Sequence, residues 1–416
     1  MSNVVDPEVV AENRRRIVAY FEGGARPAGA NALGVEVEHF AVHGDGRAVP
    51  YEGDGREPGV RQVLEALAAA YPERAYGEHG DLLGLAAPDG SVTLEPAAQI
   101  EISVAPYADV ASVERAYRRF RDAVDPELAR FGARLAAFGY HPKERAADLP
   151  LIPKERYRIM DEHFARIGTR GIRMMRASAS TQVSVDYTSE ADAVRKLRVA
   201  SALAPVLAAV ADNTPVLEGA PVGAPISHLA LWRDVDPQRC GQVPGVFEEG
   251  FGFGAYADWL LDVPPLFVPA PELRETSAAP AAEVWAEPMS TADIEHLLSM
   301  VWPDVRLKRF VEIRPADSLP EPQILGYTAL VKGIFYSEAS LAAVEKTLGV
   351  REGRWPLDER ATDRAIEAIR AEGRLAPVHG TALGEWVDLL FGLAADALPR
   401  DELHYLDDLR AFWNRG

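Results

Sequence analysis

Leu33-Gly34-Val35-Glu36-Val37-Glu38-His39-Phe40-Ala41-Val42 alternates apolar and polar side chains through its first half with a period of two. A strand turns successive residues to opposite faces, so Val35 and Val37 fall on one side and Glu36 and Glu38 on the other. Two residues apart on one face means Cα atoms about 6.5–7 Å from each other, close enough for the two acids to bracket a cation. Residues 91–104 read as a strand pair broken at Pro96, because proline cannot donate into a central ladder. There Ile100, Ile102 and Val104 oppose Gln99, Glu101 and Ser103, while in residues 181–187 Val183 and Val185 oppose Gln182, Ser184 and Asp186. Residues 305–313 read as a fourth strand.

Between these segments the apolar spacing turns helical. It predicts helices over 9–20, 61–71, 110–138, 153–167 and 194–210, the last starting near Ser189 and Asp192 and closed by Asn213-Thr214-Pro215. Beyond the fourth strand it predicts helices over 337–348, 358–372, 384–393 and 401–413. The Gly- and Pro-rich stretch 218–287 reads as long loops around short elements. No repeat and no interdomain linker interrupts the chain, which therefore reads as one α+β body spanning 1–416, with a sheet region over about 33–336 and a helical C-terminal part over 337–416.

Composition excludes several function classes. With 48% hydrophobic and 26% charged residues over 416 positions, the chain has the material for an ordered core and none of the bias of a disordered one. A formal charge of −19 repels nucleic acid and anionic membranes. The single cysteine, Cys240, rules out an internal disulfide and any cysteine-rich metal centre, and it sits in a loop where an inert thiol is the simplest reading. No apolar run reaches the ~20 residues of a membrane span, and residues 9–20 lack the apolar core of a signal peptide. A cytoplasmic protein with small-molecule partners, binding neither nucleic acid nor membrane, is the expectation; the oligomeric state is left open.

Five acids stand on or beside the strand segments: Glu36, Glu38, Glu95, Glu101 and Glu312. Carboxylates are the ligands magnesium prefers, and its remaining positions are commonly filled by water and phosphate oxygens. Arg306, Lys308 and Arg314 recur at even spacing around Glu312, and metal with cations is the combination that stabilises a transferring phosphoryl group. The plainer alternatives are a solvated strand edge for the acids and a surface ion-pair row for the cations. The chain has no Gly-x-x-x-x-Gly-Lys loop. Gly250, Gly252 and Gly254 follow no strand, and His39 and His43 lie on a strand rather than one helix face, so a turn and structural roles are expected there.

Seven segments in order resemble the glutamate–cysteine ligases of the plant and proteobacterial type, within the carboxylate–amine ligases. They are Gly-Val-Glu-Val-Glu-His-Phe (34–40), Thr-Leu-Glu-Pro-Ala-Ala-Gln-Ile-Glu-Ile-Ser (93–103), Arg-Tyr-Arg-Ile-Met (156–160), Thr-Gln-Val-Ser-Val-Asp-Tyr-Thr-Ser-Glu-Ala-Asp (181–192), Trp-Arg-Asp-Val-Asp-Pro-Gln-Arg (232–239), Phe-Gly-Phe-Gly-Ala-Tyr-Ala-Asp-Trp (251–259) and Arg-Leu-Lys-Arg-Phe-Val-Glu-Ile-Arg (306–314). The resemblance implies a glutamine-synthetase-like sheet, curved and largely antiparallel, with flanking helices. It implies ATP as cosubstrate and Mg2+ held by Glu36, Glu38, Glu95, Glu101 and Glu312, with Gln182 beside them. Lys308, Arg306 and Arg314 would meet the ATP phosphates, and Lys308, Glu312 and Arg314 would be catalytic. Arg239, Trp232, His228 and Gln182 would form the amino-acid pocket, Arg239 having as its alternative a loop clamp with Asp236. The chain departs from relatives at Ala97-Ala98, at Ser184 where Asn is common, and at His228, where an arginine suited to a substrate carboxylate is common.

The implied reaction makes γ-glutamylcysteine from glutamate and cysteine through γ-glutamyl phosphate, releasing ADP and phosphate, as a step of glutathione synthesis. Two other readings fit the same residues. One is a ligase of this scaffold with a different acid or amine; the other is a noncatalytic domain that binds divalent cations or a partner.

Overall fold

The alternating segments pair into a single nine-stranded antiparallel sheet. The computed structural model describes residues 6–269, 273–276 and 278–415. In chain order the strands are β1 (Leu33–His43), β2 (Glu73–Tyr76), β3 (Leu82–Ala87), β4 (Gly90–Leu94), β5 (Ile100–Tyr107), β6 (Ala133–Ala136), β7 (Ser180–Val185), β8 (Val305–Leu307) and β9 (Val311–Asp317). Their spatial order is β8-β9-β7-β1-β5-β4-β3-β2, with β6 joined to the far half of β1.

One face of this sheet is apolar. Val35, Val37, Ile100, Ile102, Val183, Val185, Val311 and Ile313 are each at most 1% exposed, and burying such a side chain is worth about 1.5–3 kcal/mol. A slip of one residue in β1 would carry Glu36 and Glu38 into this layer, so the hydrophobic pattern fixes which way the acids point. The helix Glu190–Val210 packs behind β9 and the helix Val110–Ala129 behind β5 and β6, covering that face. The helix Glu321–Phe335 continues the layer and carries Leu383–Ala397 and Tyr405–Arg415 on its outer side.

Several elements differ from the sequence expectation. The helix expected over 110–138 stops at Ala129, and the chain turns at Gly132 with φ +71° before β6 begins. Residues 305–313 are a hairpin: β8 folds back on β9, setting Arg306 opposite Glu312. β2 and β3 gave no signal, since β2 is exposed along its length at the sheet edge and shows no alternation of burial. The helix starting after Ser189 is as expected, with the Ser189 hydroxyl accepting from the Asp192 amide. No helix among the described residues is long and apolar enough to cross a membrane.

Candidate active site

The polar face of the sheet opens onto a cavity of roughly 540 Å³. Strand register decides who meets there. Glu38 stands opposite Glu101, and Glu36 stands between Ser103 on β5 and Gln182 on β7. Glu95 joins them from the loop that links β4 to β5, where the Glu95 amide donates to the Gln99 carbonyl at 2.9 Å and Ala98 takes φ +65°. Pro96 lies in that loop and interrupts no ladder.

Few donors compensate these acids. Glu38 accepts from the Ser180 amide at 2.8 Å, the Ser180 hydroxyl at 3.1 Å and the Gln182 amide at 3.1 Å. Glu101 accepts from Ser103 at 2.8 Å, and the same hydroxyl lies 3.4 Å from Glu36. Burial first, and Glu95 second, push the Glu38 carboxyl up to about 8. Burial and then Glu36 drive Glu101 well above the carboxylate range, and burial with Glu312 raises Glu36. Crowded anions without cations of their own hold protons until a cation replaces them.

Glu312 is the opposite case. It is fully buried. Arg306 grips both its oxygens at 2.6 and 3.1 Å, Lys308 donates at 3.1 Å and Arg314 at 3.2 Å. Burial would raise its pKa, but the three cations outweigh burial and hold it well below the usual carboxylate range. The even-spaced row is therefore not a row along one strand: the hairpin gathers the three cations around one anion. Arg306 also donates to the Leu298 and Val301 carbonyls at 3.3 and 3.0 Å, which occupies four of its five N–H donors. Arg306 thus anchors Glu312 while also lining the cavity, and Glu312 stands apart from the uncompensated acids expected to share its metal role. Arg306, Lys308 and Arg314 all line the cavity. Gln182 joins the two halves, its amide donating to Glu38 and its carbonyl accepting from Arg314.

Arg239 is not at the cavity. It is 2% exposed and clamps Asp236 and the Pro264 carbonyl, so the loop-clamp alternative describes it and the substrate-pocket expectation is corrected. His228 and Trp232 do line the cavity. The Nδ1 of His228 lies 3.0 Å from Asp317, and the Trp232 indole N–H donates to its Nε2 at 3.4 Å. With both ring nitrogens engaged, His228 lines the cavity without a free donor for a carboxylate.

A further wall went unrecognised. Lys154, Arg156, Tyr157 and Met160, from the start and body of the helix Glu155–Phe164, line the cavity with Met174 and Met175. The Lys154 ammonium lies 4.7 Å from the centre of the Tyr157 ring, and burial lowers its pKa. Arg156 donates to the Ser299 carbonyl at 3.3 Å, while its buried Nε has no partner among the described residues. The Arg-Tyr-Arg-Ile-Met segment carried the signal, but helical spacing alone does not say which face meets a cavity.

Among the described residues no three His, Cys, Asp or Glu side chains are drawn together tightly enough to hold a metal ion. The donor chemistry nevertheless suits a hard divalent cation: Glu36, Glu38, Glu95 and Glu101 are oxygen donors around one cavity, and the raised pKa values of Glu36, Glu38 and Glu101 record uncompensated charge.

The family model described as glutamate-cysteine ligase family 2 matches residues 32–416. The chain is 31% identical to the chloroplastic glutamate–cysteine ligase B of Oryza sativa subsp. japonica, over 96% of this chain and 81% of that one. It is 30% identical to the chloroplastic glutamate–cysteine ligase of Medicago truncatula, over 93% and 76%. A crystal structure of a glutamate–cysteine ligase from Francisella tularensis in complex with AMP superposes with a TM-score of 0.53 at 9% identity, covering 92% of this chain and 82% of that one, and shares the fold. The glutamine-synthetase-like sheet expected from the resemblance is the architecture found. The cytoplasmic expectation is corrected, because these plant relatives are named chloroplastic. A single unpaired cysteine is compatible with any reducing compartment and does not select the cytoplasm.

Proposed function

The chain belongs to glutamate-cysteine ligase family 2, and from that membership we propose that it joins glutamate to cysteine at the expense of ATP, through γ-glutamyl phosphate. The observation that carries this reading is the division of one cavity into an uncompensated acidic wall and a cationic wall anchored on Glu312. A γ-carboxylate oxygen of glutamate attacks the terminal phosphorus of ATP, the bond to the bridging oxygen breaks and ADP leaves. The cysteine amine then attacks the acyl carbon, loses a proton, and phosphate departs.

Glu36, Glu38, Glu95 and Glu101 are the residues that would hold Mg2+, which when bound supplies charge neutralisation for the triphosphate. Lys308 and Arg314 face charge that grows on the transferring group, and Glu312 with Arg306 keeps them in position before the reaction begins. Lys154 and Arg156, on the remaining wall, fit the carboxylate of an amino-acid substrate. Positioning and electrostatics do the chemistry, and no covalent enzyme intermediate is needed.

Purified protein given ATP, Mg2+ and a panel of amino acids tests the reading. Release of phosphate and ADP should require both glutamate and cysteine, with γ-glutamylcysteine as product. AMP and pyrophosphate as products would overturn the acyl-phosphate route, and turnover with another amine in place of cysteine would reassign the acceptor.

A further inference from the structure

His228, Asp317, Trp232 and Arg314 form a connected line of side chains beside the cavity. Asp317, at the end of β9, is locked in place: it accepts from the Asn213 amide and the Thr214 hydroxyl, both at 2.7 Å, and a Cβ on Gly139 would come within 2.4 Å of its carboxylate. Its other oxygen meets His228 Nδ1, and both residues are 3% exposed at the side chain. An indole N–H can only donate, so His228 Nε2 must be the acceptor toward Trp232 and Nδ1 must carry the proton given to Asp317. Trp232, one helical turn after His228, sets its ring 6.0 Å from the Arg314 guanidinium, within the range of a cation–π contact.

We propose that His228 is a positioning residue: held by Asp317 in the Nδ1–H form, it orients the Trp232 indole against Arg314 and so fixes where that guanidinium stands. The kinetic part of this rests on the ligase reading above. The structural part does not.

The test combines steady-state kinetics with the emission of Trp232, taken as wild type minus Trp232→Phe. His228→Phe keeps a ring and removes both nitrogens. It should lower kcat about tenfold while amino-acid KM values stay within about twofold, since the loss falls on a group acting in the transition state. The Trp232 emission should move to longer wavelength as the indole is freed. The double variant His228→Phe/Trp232→Phe should be no slower than the slower single one, because both act through the same contact. His228→Asn, which keeps one donor and one acceptor, should recover part of kcat. Asp317→Asn serves if His228→Phe does not fold, and it should shift the emission the same way. A raised amino-acid KM with kcat unchanged would assign His228 to substrate binding and overturn the proposal, as would additive losses or an unmoved Trp232 emission. If the wild type shows no turnover with glutamate and cysteine, the ligase reading falls and the emission still decides the positioning role.

Discussion

At the scale of single residues, the two walls of the cavity make different demands on a substitution. Glu36 and Glu38 are acids with no cation of their own, so Glu36→Gln and Glu38→Gln should leave the fold intact or slightly more stable while most activity is lost. Melting temperature and phosphate release measured together check this; near-normal rates in both variants would remove these acids from the site. Arg314 sits on the other wall. Arg314→Ala should cost about 3 kcal/mol in kcat, roughly a hundredfold, with ATP affinity little changed. Arg314→Lys should recover only part, since an ammonium can replace the Nη1 that donates to both Glu312 and Gln182 but not the guanidinium's remaining donors. Losses for Arg314→Ala and Glu312→Gln that simply add in the double variant would argue against a shared role. The acids were legible in the sequence because a period of two fixes their face. The fate of Arg306 was not, because even spacing along a strand looks the same whether the chain runs on or folds back. Arg239 and His228 show the same limit: local sequence names a residue type, and only long-range partners such as Asp317 or Pro264 decide whether its donors are free.

At the scale of elements, the junctions carry what periodicity cannot see. The helix Glu190–Val210 ends at a short segment where Asp212 accepts from the Ile226 amide at 2.9 Å, while Ile226 takes φ +48°. This junction meets the end of β9 at Asp317. Burial first, then the Asp317 charge, push the Asp212 carboxyl up to about 7 from an ordinary value of 3.8. A raised carboxyl pKa in the folded chain means that unfolding releases a proton once the pH exceeds the ordinary value. Stability from this group is therefore complete near pH 4, falls as pH rises, and levels off above about 7. Going from 3.8 to about 7 corresponds to an effect on the order of 4 kcal/mol. Asp212→Asn should flatten the fall of melting temperature between pH 5 and 7.5 relative to wild type. Parallel curves for the two proteins would show that Asp212 titrates normally. The facing of side chains on β1, β5 and β7 was readable from alternation, whereas this junction was not, because its geometry depends on two segments separated by a hundred residues.

At the scale of the whole molecule, the question is whether 337–416 is an appendage or part of the catalytic body. Glu402, 4% exposed, lies in that segment and accepts from Lys332 Nζ at both oxygens, each at 2.7 Å, and from the Val110 amide at 3.1 Å. Lys332 belongs to the helix that follows β9, and Val110 opens the helix that backs β5. One carboxylate thus ties the C-terminal part to two of the helices that back the sheet, alongside the packing of Leu383–Ala397 and Tyr405–Arg415 on Glu321–Phe335. A body built this way should unfold as one unit. Glu402→Ala leaves the partly buried Lys332 ammonium without its partner; a fully buried pair broken this way costs about 3–5 kcal/mol, and the 14% exposure of the Lys332 side chain lowers that here. The expected result is a single transition moved to lower temperature, with loss of secondary structure and loss of activity coinciding. Two separate transitions, the upper one unmoved by the substitution, would instead make 337–416 an independent unit. Cavity residues on β1, β5 and β7 stand on strands whose apolar backs rest on the helices that Glu402 joins, and β9 pairs with β7, so a fall in stability at this distant carboxylate should reach the acids and cations of the site together.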